Sequence, residues 1–208
     1  MSIACTYRGV GYGFESPPGY RECEYIESTG TQWLDTTVDI RSIGEWTLVA
    51  NFINLDGVQI NGCYVYDFPL AMDIGVAYSG HWFMRNGGPG DNQDTPADTK
   101  VHEFIVSQTG KATYIDGVLF SGSSLYKDIS GSQSNLSIFL FNRNNGHNDH
   151  KYWCYEKIYS STMKNRDGVL IQNLLPYLDP VGEPCMVDIL TGKPYYNEGT
   201  GTFKYKLK

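Results

Sequence analysis

Seven aromatic, arginine and asparagine side chains are of the types that recognise carbohydrates. Aromatic rings stack on the apolar faces of sugars, while amides and guanidinium groups bond their hydroxyls. The candidate ligand-binding residues are Tyr64 and Tyr66, two apart on one face of an expected strand, Trp82 with Arg85, and the loop residues Asn142, Arg143 and Asn144. Their types favour a binding surface, but their order in the chain does not locate it.

The protein interior must use part of the same aromatic set. The chain has 16 tyrosines, 9 phenylalanines and 4 tryptophans, and half or more of these rings are expected in the core. Trp46 and Trp153 are expected inside because of their neighbours. Trp82, which stands among glycine, histidine and arginine, is consistent with either an exposed or a buried position.

Paired carboxylates that could hydrolyse a glycosidic bond are not evident. Retaining glycosidases hold two carboxyl groups about 5 Å apart, and inverting ones hold them further apart. Glu22 and Glu24 are two apart, so a strand would present both on one face, but that face is expected to be solvated. No GxSxG nucleophile motif occurs either. The sequence favours a protein that is not an enzyme, and a glycosidase is the less favoured alternative.

Two clusters have residue types that bind metal ions. His147 and His150 flank an Asn-Asp pair, but zinc needs three or four ligands, and the other two histidines have no reason to converge on them. Asp91, Asp94 and Asp98 lie in a glycine-rich segment whose spacing matches no EF-hand. We expect no cofactor, with calcium in that segment as the open alternative.

Composition excludes several classes of function. A chain of 208 residues fits a single all-β domain. A formal net charge of −7 disfavours a nucleic-acid partner, because phosphate neutralisation needs clustered Lys and Arg. No apolar run approaches the ~20 residues that cross a bilayer, and the N-terminus lacks the basic start and apolar stretch of a signal peptide. The 5 scattered cysteines predict reduced thiols.

The elements that would position the candidate residues are predicted to be short strands. They are expected at 45–52, 101–106, 112–120, 136–141 and 152–159. Asp116-Gly117 is a strong signal for a tight hairpin turn. A final strand carries Lys204, Lys206 and Lys208, which would protect an exposed edge. One weak helical candidate, 161–172, is equally consistent with a turn leading to a strand.

Residues 1–20 are expected to form an arm ahead of a domain that spans 21–208. The arm is rich in glycine and ends in SPPGY, whose prolines cannot lie in a central strand. It still carries more apolar residues than a solvated tail would need. Those that could fold onto a partner during assembly are Tyr7, Val10, Tyr12 and Phe14.

Segments at the two ends of the domain carry a family resemblance. Residues 24–36, EYIESTGTQWLDT, and 184–203, PCMVDILTGKPYYNEGTGTF, resemble the opening and closing strands of concanavalin A-like, laminin-G-like jelly-roll modules. The segments 112–117 and 137–146 resemble the central hairpin and the following strand. Trp33 departs from the pattern where tyrosine is more usual, and Thr37 departs where glycine is expected. The resemblance implies an all-β jelly-roll sandwich of two antiparallel sheets.

The same resemblance implies a function. Such modules recur in tailed-phage proteins and in surface proteins of gut bacteria. With reduced thiols and no signal peptide, the expected protein is a virion component, assembled in the host cytoplasm, such as a capsid decoration, head fibre or tail-fibre tip. It would present a lectin-like domain for carbohydrate or host-surface adhesion, and its arm would bind capsid or tail proteins in a symmetric multi-copy assembly. A secreted bacterial carbohydrate-binding surface module and a purely structural protein are the alternatives.

Overall fold

The chain folds as a β-sandwich whose two sheets enclose the main hydrophobic core. The computed structural model describes residues 16–65, 70–77, 79–88, 95–122, 126–132, 135–146 and 153–208. Strand accounts for 56% and helix for 2%, which confirms the all-β prediction. The sheets are antiparallel except for one short parallel pair, and the arrangement is compatible with a jelly roll. No helix in these ranges has the length and apolar character needed to span a membrane.

In the part of the chain that the structure describes, the regular elements are sixteen strands and one 3-10 turn (Ile40–Ser42). The strands are β1 (Arg21–Glu27), β2 (Leu34–Asp39), β3 (Ile43–Phe52), β4 (Gln59–Val65), β5 (Leu70–Val76), β6 (Trp82–Asn86), β7 (His102–Ser107), β8 (Ala112–Ile115), β9 (Val118–Ser121), β10 (Ser137–Leu140), β11 (Arg143–Asn144), β12 (Glu156–Asn165), β13 (Leu170–Leu178), β14 (Pro184–Asp188), β15 (Lys193–Tyr195) and β16 (Lys204–Leu207). A ten-stranded sheet has the order β15-β14-β13-β1-β12-β3-β7-β8-β9, with β16 also paired to β1. A six-stranded sheet has the order β2-β10-β4-β5-β6, with β11 paired to β4.

Strand β3 shows how the sequence builds the core. Trp46, Leu48, Ala50 and Phe52 are fully buried, and the residues between them are less buried. This alternation arises because successive side chains of a strand point to opposite faces of the sheet. Burying each large apolar side chain contributes about 1.5–3 kcal/mol. The prediction of a period-two strand at 45–52 is confirmed.

Two hairpin turns can be compared with the sequence predictions. The turn between β8 and β9 is confirmed, and the segment between β12 and β13 corrects a prediction. Asp116 (φ +51°) and Gly117 (φ +76°) join β8 to β9 with the positive φ values of a tight primed turn. The helical alternative for 161–172 is wrong, because that segment is the hairpin of β12 and β13. There Asn165 Oδ1 accepts hydrogen bonds from the backbone N–H groups of Asp167 (3.0 Å) and Val169 (2.9 Å). The strand expected at 152–159 begins only at Glu156.

The opening and closing segments of the domain contact each other. The backbone N–H of Thr200 donates to the carbonyl of Thr31 (3.0 Å), and that of Glu198 donates to the carbonyl of Trp33 (2.9 Å). Gln32 Nε2 donates to the carbonyl of Thr200 at 3.0 Å. The two segments that carry the family resemblance therefore close the same part of the sandwich.

Strand β16 lies beside β1, and its lysines form ion pairs with the β1 glutamates. The pairs are Lys204–Glu27 (3.3 Å), Lys206–Glu24 (2.6 Å) and Lys208–Glu22 (3.0 Å). All four residues of β16 are exposed, and only the preceding Phe203 is buried. Exposed pairs of this kind contribute about 0–1 kcal/mol each. Glu22 and Glu24, the acids considered above for catalysis, are thus engaged with lysines at the surface.

A buried carboxyl group links the two sheets through the core. Glu156 on β12 is fully buried, and its Oε2 accepts a hydrogen bond from Asn61 Nδ2 on β4 at 2.9 Å. Asn61 in turn accepts from the backbone N–H of Phe141. Burial raises the pKa of Glu156 to about 8, against the smaller lowering effect of its hydrogen bonds. Burial at this position therefore favours the neutral acid over the carboxylate.

Several predicted features can be placed and others cannot. Cys23, Cys63, Cys154 and Cys185 are free and buried, as expected of reduced thiols. Some residues named in the predictions lie outside the described ranges. They are Tyr7, Val10, Tyr12 and Phe14 of the arm, Cys5, Tyr66, Asp91, Asp94, His147 and His150.

Candidate functional site

Five residues lie side by side in a row across the six-stranded sheet. Asp35 on β2 is paired with Phe139 on β10, and Phe139 is paired with Gly62 on β4. Gly62 is paired with Asp73 on β5, which is paired with Arg85 on β6. Neighbouring strands are about 4.8 Å apart, so the row is about 19 Å long.

The row points away from the core. Each member follows or precedes a residue of the buried core cluster, which includes Leu34, Ile138, Cys63, Met72 and Met84. Because side chains alternate along a strand, the row occupies the opposite, outer face. Tyr64 and Phe83 share this face by the same alternation. We call the surface formed by the row, Tyr64, Phe83 and Arg143 the sheet face.

An ion pair fixes one end of the sheet face. Arg85 Nε donates to Asp73 Oδ1 at 2.8 Å, and its Nη2 donates to the other carboxylate oxygen. The Asp73 side chain is fully buried, and that of Arg85 is 13% exposed. Two parallel hydrogen bonds hold the guanidinium plane in one orientation. Removing either partner of such a buried pair costs about 3–5 kcal/mol, because a charge is left buried and unpaired.

Tyr64 brings two guanidinium groups together. The guanidinium carbon of Arg85 lies 4.7 Å from the centre of the Tyr64 ring, and that of Arg143 lies 5.0 Å from it. Arg85 is also 5.0 Å from the ring of Phe83. Cation–π contacts of this type contribute about 0.5–2 kcal/mol. The aromatic rings therefore position a patch of N–H donors on the sheet face.

The middle of the row has no side chain. Gly62 has φ of +126°, which L side chains rarely adopt, and a Cβ there would lie 2.2 Å from the carbonyl oxygen of Met72. Only glycine fits this close approach of two strands. The space that a side chain would need at Gly62 is therefore occupied by the backbone of β5.

Trp33 lies over the other end of the row. Its ring centre is 4.4 Å from that of Phe139, with an angle of 30° between the planes. Its backbone N–H donates to Asn197 Oδ1 at 3.1 Å, and its carbonyl accepts from Glu198. The closing segment of the chain therefore sets the position of an aromatic ring that belongs to the opening segment.

A groove of about 340 Å³ extends from this end of the sheet face. It runs along the seam between β2, at the edge of one sheet, and β15, at the edge of the other. We call it the seam groove. The residues that give it its chemistry are Trp33, Asp35, Lys193, Tyr195, Tyr196 and Glu198.

The structure brings together three of the predicted ligand-binding residues, namely Tyr64, Arg85 and Arg143. Trp82 is only 3% exposed, and it packs in the core against Phe52 (5.6 Å) and Phe104 (5.0 Å between ring centres). Its burial corrects the prediction that Trp82 contacts a ligand at the surface. The physical reason is the alternation of side chains along a strand, which places Trp82 on the inner face of β6 together with Met84.

Asn142 and Asn144 shape the loop that carries Arg143. Asn142 is fully buried, and its Oδ1 accepts from the backbone N–H of Arg143 at 2.7 Å. Asn144 Nδ2 donates to the carbonyl of Ser137 at 3.0 Å. The prediction that Asn142 contacts a ligand is corrected by its burial, whereas Asn144 remains half exposed beside the sheet face.

Sequence reasoning missed Trp33, Asp35, Phe139 and Asp73. A usable signal existed, because Trp33 and Asp35 are two apart on either side of buried Leu34. Alternation would have placed both on one face of β2. The ion pair of Asp73 with Arg85 depends on the register between β5 and β6, and no local pattern reveals that register.

A second cavity, of about 260 Å³, adjoins His102 near β9. His102 Nδ1 lies 2.6 Å from Asp116 Oδ2, and its Nε2 lies 2.9 Å from Asp98 Oδ1. Each ring nitrogen thus lies within hydrogen-bond distance of a carboxylate oxygen, an arrangement that favours the doubly protonated ring. Burial opposes the charged form, but the bonds to Asp116 and Asp98 outweigh it and raise the pKa of His102. This cluster ties the β8–β9 turn to the segment before β7.

The comparisons leave the site to be interpreted from its own residues. No family model matches the chain, and no curated protein matches it. Within the described ranges, no group of three or more His, Cys, Asp or Glu side chains could hold a metal ion. Asp98, one of the carboxylates considered for calcium, is engaged with His102 and Lys100.

Proposed function

We propose that this chain is a non-enzymatic glycan-binding protein that presents a lectin-like β-sandwich on the surface of a tailed-phage virion. The observation that supports glycan binding is the row across the sheet face. With Tyr64, Phe83 and Arg143 beside it, the row places three aromatic rings, two guanidinium groups and two carboxylates on the outer side of one sheet. Proteins recognise sugars with this combination of groups.

The sheet face and the adjoining Trp33 have separate roles in the proposed site. The half-exposed ring of Trp33 contacts the apolar face of a sugar. Arg85, held by Asp73 and by the ring of Tyr64, donates to hydroxyl groups, and Arg143, which is only 9% exposed, supports the same Tyr64 ring. A sugar unit is about as long as one strand spacing, so the row fits an oligosaccharide of about four units.

We also propose that the sandwich belongs to the concanavalin A-like, laminin-G-like family. Contacts between residues 24–36 and 184–203 support the concanavalin A-like, laminin-G-like resemblance. So does Thr37, whose φ of +60° occurs where the family pattern has glycine. The resemblance in turn supports a capsid decoration, head fibre or tail-fibre tip, with copies arranged symmetrically. Capsid and tail genes beside the coding sequence would agree with a position on the virion. A polysaccharide-use locus there would favour the bacterial surface module.

Glycan-array binding of the full-length chain, followed by calorimetry with each positive glycan, tests the binding function. We expect Trp33→Leu and Tyr64→Leu each to weaken binding about tenfold, because each removes an aromatic contact or its guanidinium support. The matched control is Tyr205→Leu, which removes an exposed ring from β16 of the other sheet. Circular dichroism would confirm that all three variants fold. A clean negative array would contradict glycan binding and leave a purely structural role.

A further inference from the structure

The seam groove narrows the class of glycan, and this inference rests on the proposed glycan-binding function. The groove begins where the row ends, because Asp35 belongs to both and Trp33 covers Phe139 of the row. An oligosaccharide that crosses the sheet face toward β2 therefore enters the groove. The side chains found there select among sugars.

Carboxylates outnumber cations among the lining residues of the groove. Asp35 and Glu198 are both present, and Lys193 is the one cation among the described lining residues. A backbone hydrogen bond restrains the Asp35 carboxylate, because its Oδ1 accepts from the N–H of Thr37 at 2.7 Å. The backbone of Glu198 is held by the bond from its N–H to the carbonyl of Trp33 at 2.9 Å, and its side chain is exposed. The groove thus presents two carboxylates, one of which is held by a hydrogen bond.

The aromatic lining already accepts an ammonium group. Lys193 Nζ lies 4.5 Å from the centre of the Tyr195 ring, a cation–π contact. Trp33 and Tyr196 add two further rings to the same groove, and both are half exposed. Rings beside carboxylates attract a positively charged ligand group through both the ring quadrupole and the opposite charge.

We propose that the seam groove binds the protonated amino group of a hexosamine unit in the glycan. The ammonium group lies between Asp35 and Glu198, and the rings of Trp33 and Tyr196 contact the sugar. An N-acetylated unit carries no charge for the carboxylates to attract. An acidic sugar is repelled by them.

The test compares two tetrasaccharides that differ only in acetylation, the β-1,4-glucosamine tetramer and its fully N-acetylated form. Binding to the full-length chain is measured by calorimetry at about pH 5.5, well below the ordinary pKa of an amino group. We expect the amine form to bind about fivefold more tightly than the acetylated form. Glu198→Gln and Asp35→Asn should each reduce that preference, and the asparagine can still accept from Thr37. The matched control is Asp167→Asn, an exposed carboxylate in the β12–β13 turn, which should leave the preference unchanged.

The outcomes separate this inference from the proposed function. Equal binding of the two tetramers, or tighter binding of the acetylated one, would overturn the amine inference while glycan binding stands. Preferential binding of an oligolysine peptide over both tetramers would also overturn it, because the groove would then be a peptide site. If neither tetramer binds and the array is negative, the glycan-binding function itself fails.

Discussion

Thr37 holds a left-handed backbone conformation that β-branched residues rarely adopt. Its φ is +60°, and its side chain is exposed. A non-glycine residue in this region carries strain of about 1–3 kcal/mol. Glycine relieves this strain, but its greater freedom in the unfolded chain cancels part of the gain in stability. We expect Thr37→Gly to raise the free energy of unfolding by about 1 kcal/mol, measured by urea denaturation.

The matched control for that substitution is Thr47→Gly. Thr47 lies within β3 and has no positive φ. Glycine in a strand interior is unfavourable because it adds flexibility to the unfolded chain and loses side-chain packing. We therefore expect the control to lower the free energy of unfolding. A loss of stability at both positions would show that Thr37 is not strained.

Glu156 makes stability depend on pH. Burial raises its pKa from about 4.5 to about 8, so between these values the folded chain holds a proton that the unfolded chain has released. The contribution is complete below about pH 4.5 and is lost as pH rises through about 8, with a slope of about 1.4 kcal/mol per pH unit. We expect Glu156→Gln to flatten this slope, measured by urea denaturation from pH 5 to about pH 8. An unchanged slope in the variant would contradict a neutral Glu156 in the fold.

At the scale of single residues, the sequence indicated which side-chain types could bind a ligand better than it indicated where they lie in the fold. It identified Tyr64, Arg85 and Arg143 by their chemistry, and the structure brings those three together. It could not assign Trp82, because the face that a strand residue occupies depends on which side carries the core. Thr37 was singled out only because a family pattern expects glycine there, and its positive φ gives the physical reason.

Gly62 is the element-scale feature on which the packing of β4 against β5 depends. We expect Gly62→Ala to lower the free energy of unfolding by about 3 kcal/mol or more, because its Cβ would meet the backbone of β5. Thermal unfolding measures the loss. The matched control is Gly57→Ala, which has φ of +81° and no atom within 4 Å of the added Cβ. Equal losses in the two variants would mean that backbone conformation alone, and not crowding, explains the effect.

Strand prediction succeeded where local signals agreed. β3 alternates cleanly, and Asp116-Gly117 specifies the β8–β9 turn. It failed at 161–172, where a glycine and β-branched residues gave no clear period. Asn165 Oδ1 accepts the two backbone hydrogen bonds that organise that turn, which joins the paired strands β12 and β13. The register between neighbouring strands of the six-stranded sheet creates the row. The residue pattern of a single strand cannot predict that register.

At the scale of the whole molecule, the arm and the sandwich are proposed to have separable roles. We expect full-length chain carrying Tyr12→Ser and Phe14→Ser to be lost from particles while glycan binding is unchanged, because these substitutions remove apolar side chains proposed to contact the partner. Co-sedimentation with virions measures incorporation. Trp33→Leu is the reciprocal control, since it should incorporate normally and bind glycans weakly. Normal incorporation of the double variant would contradict an attachment role for the arm.

The meeting of the two ends has a consequence for how the chain is made. Glu22 and Lys208 are 186 residues apart, and Gln32 and Thr200 are 168 apart. At about 5–20 residues per second, β1 emerges from the ribosome about 10–40 s before β16. Folds dominated by such distant contacts form slowly. During synthesis, the edge of β1 that receives β16 is therefore without that strand until residues 204–207 have been made.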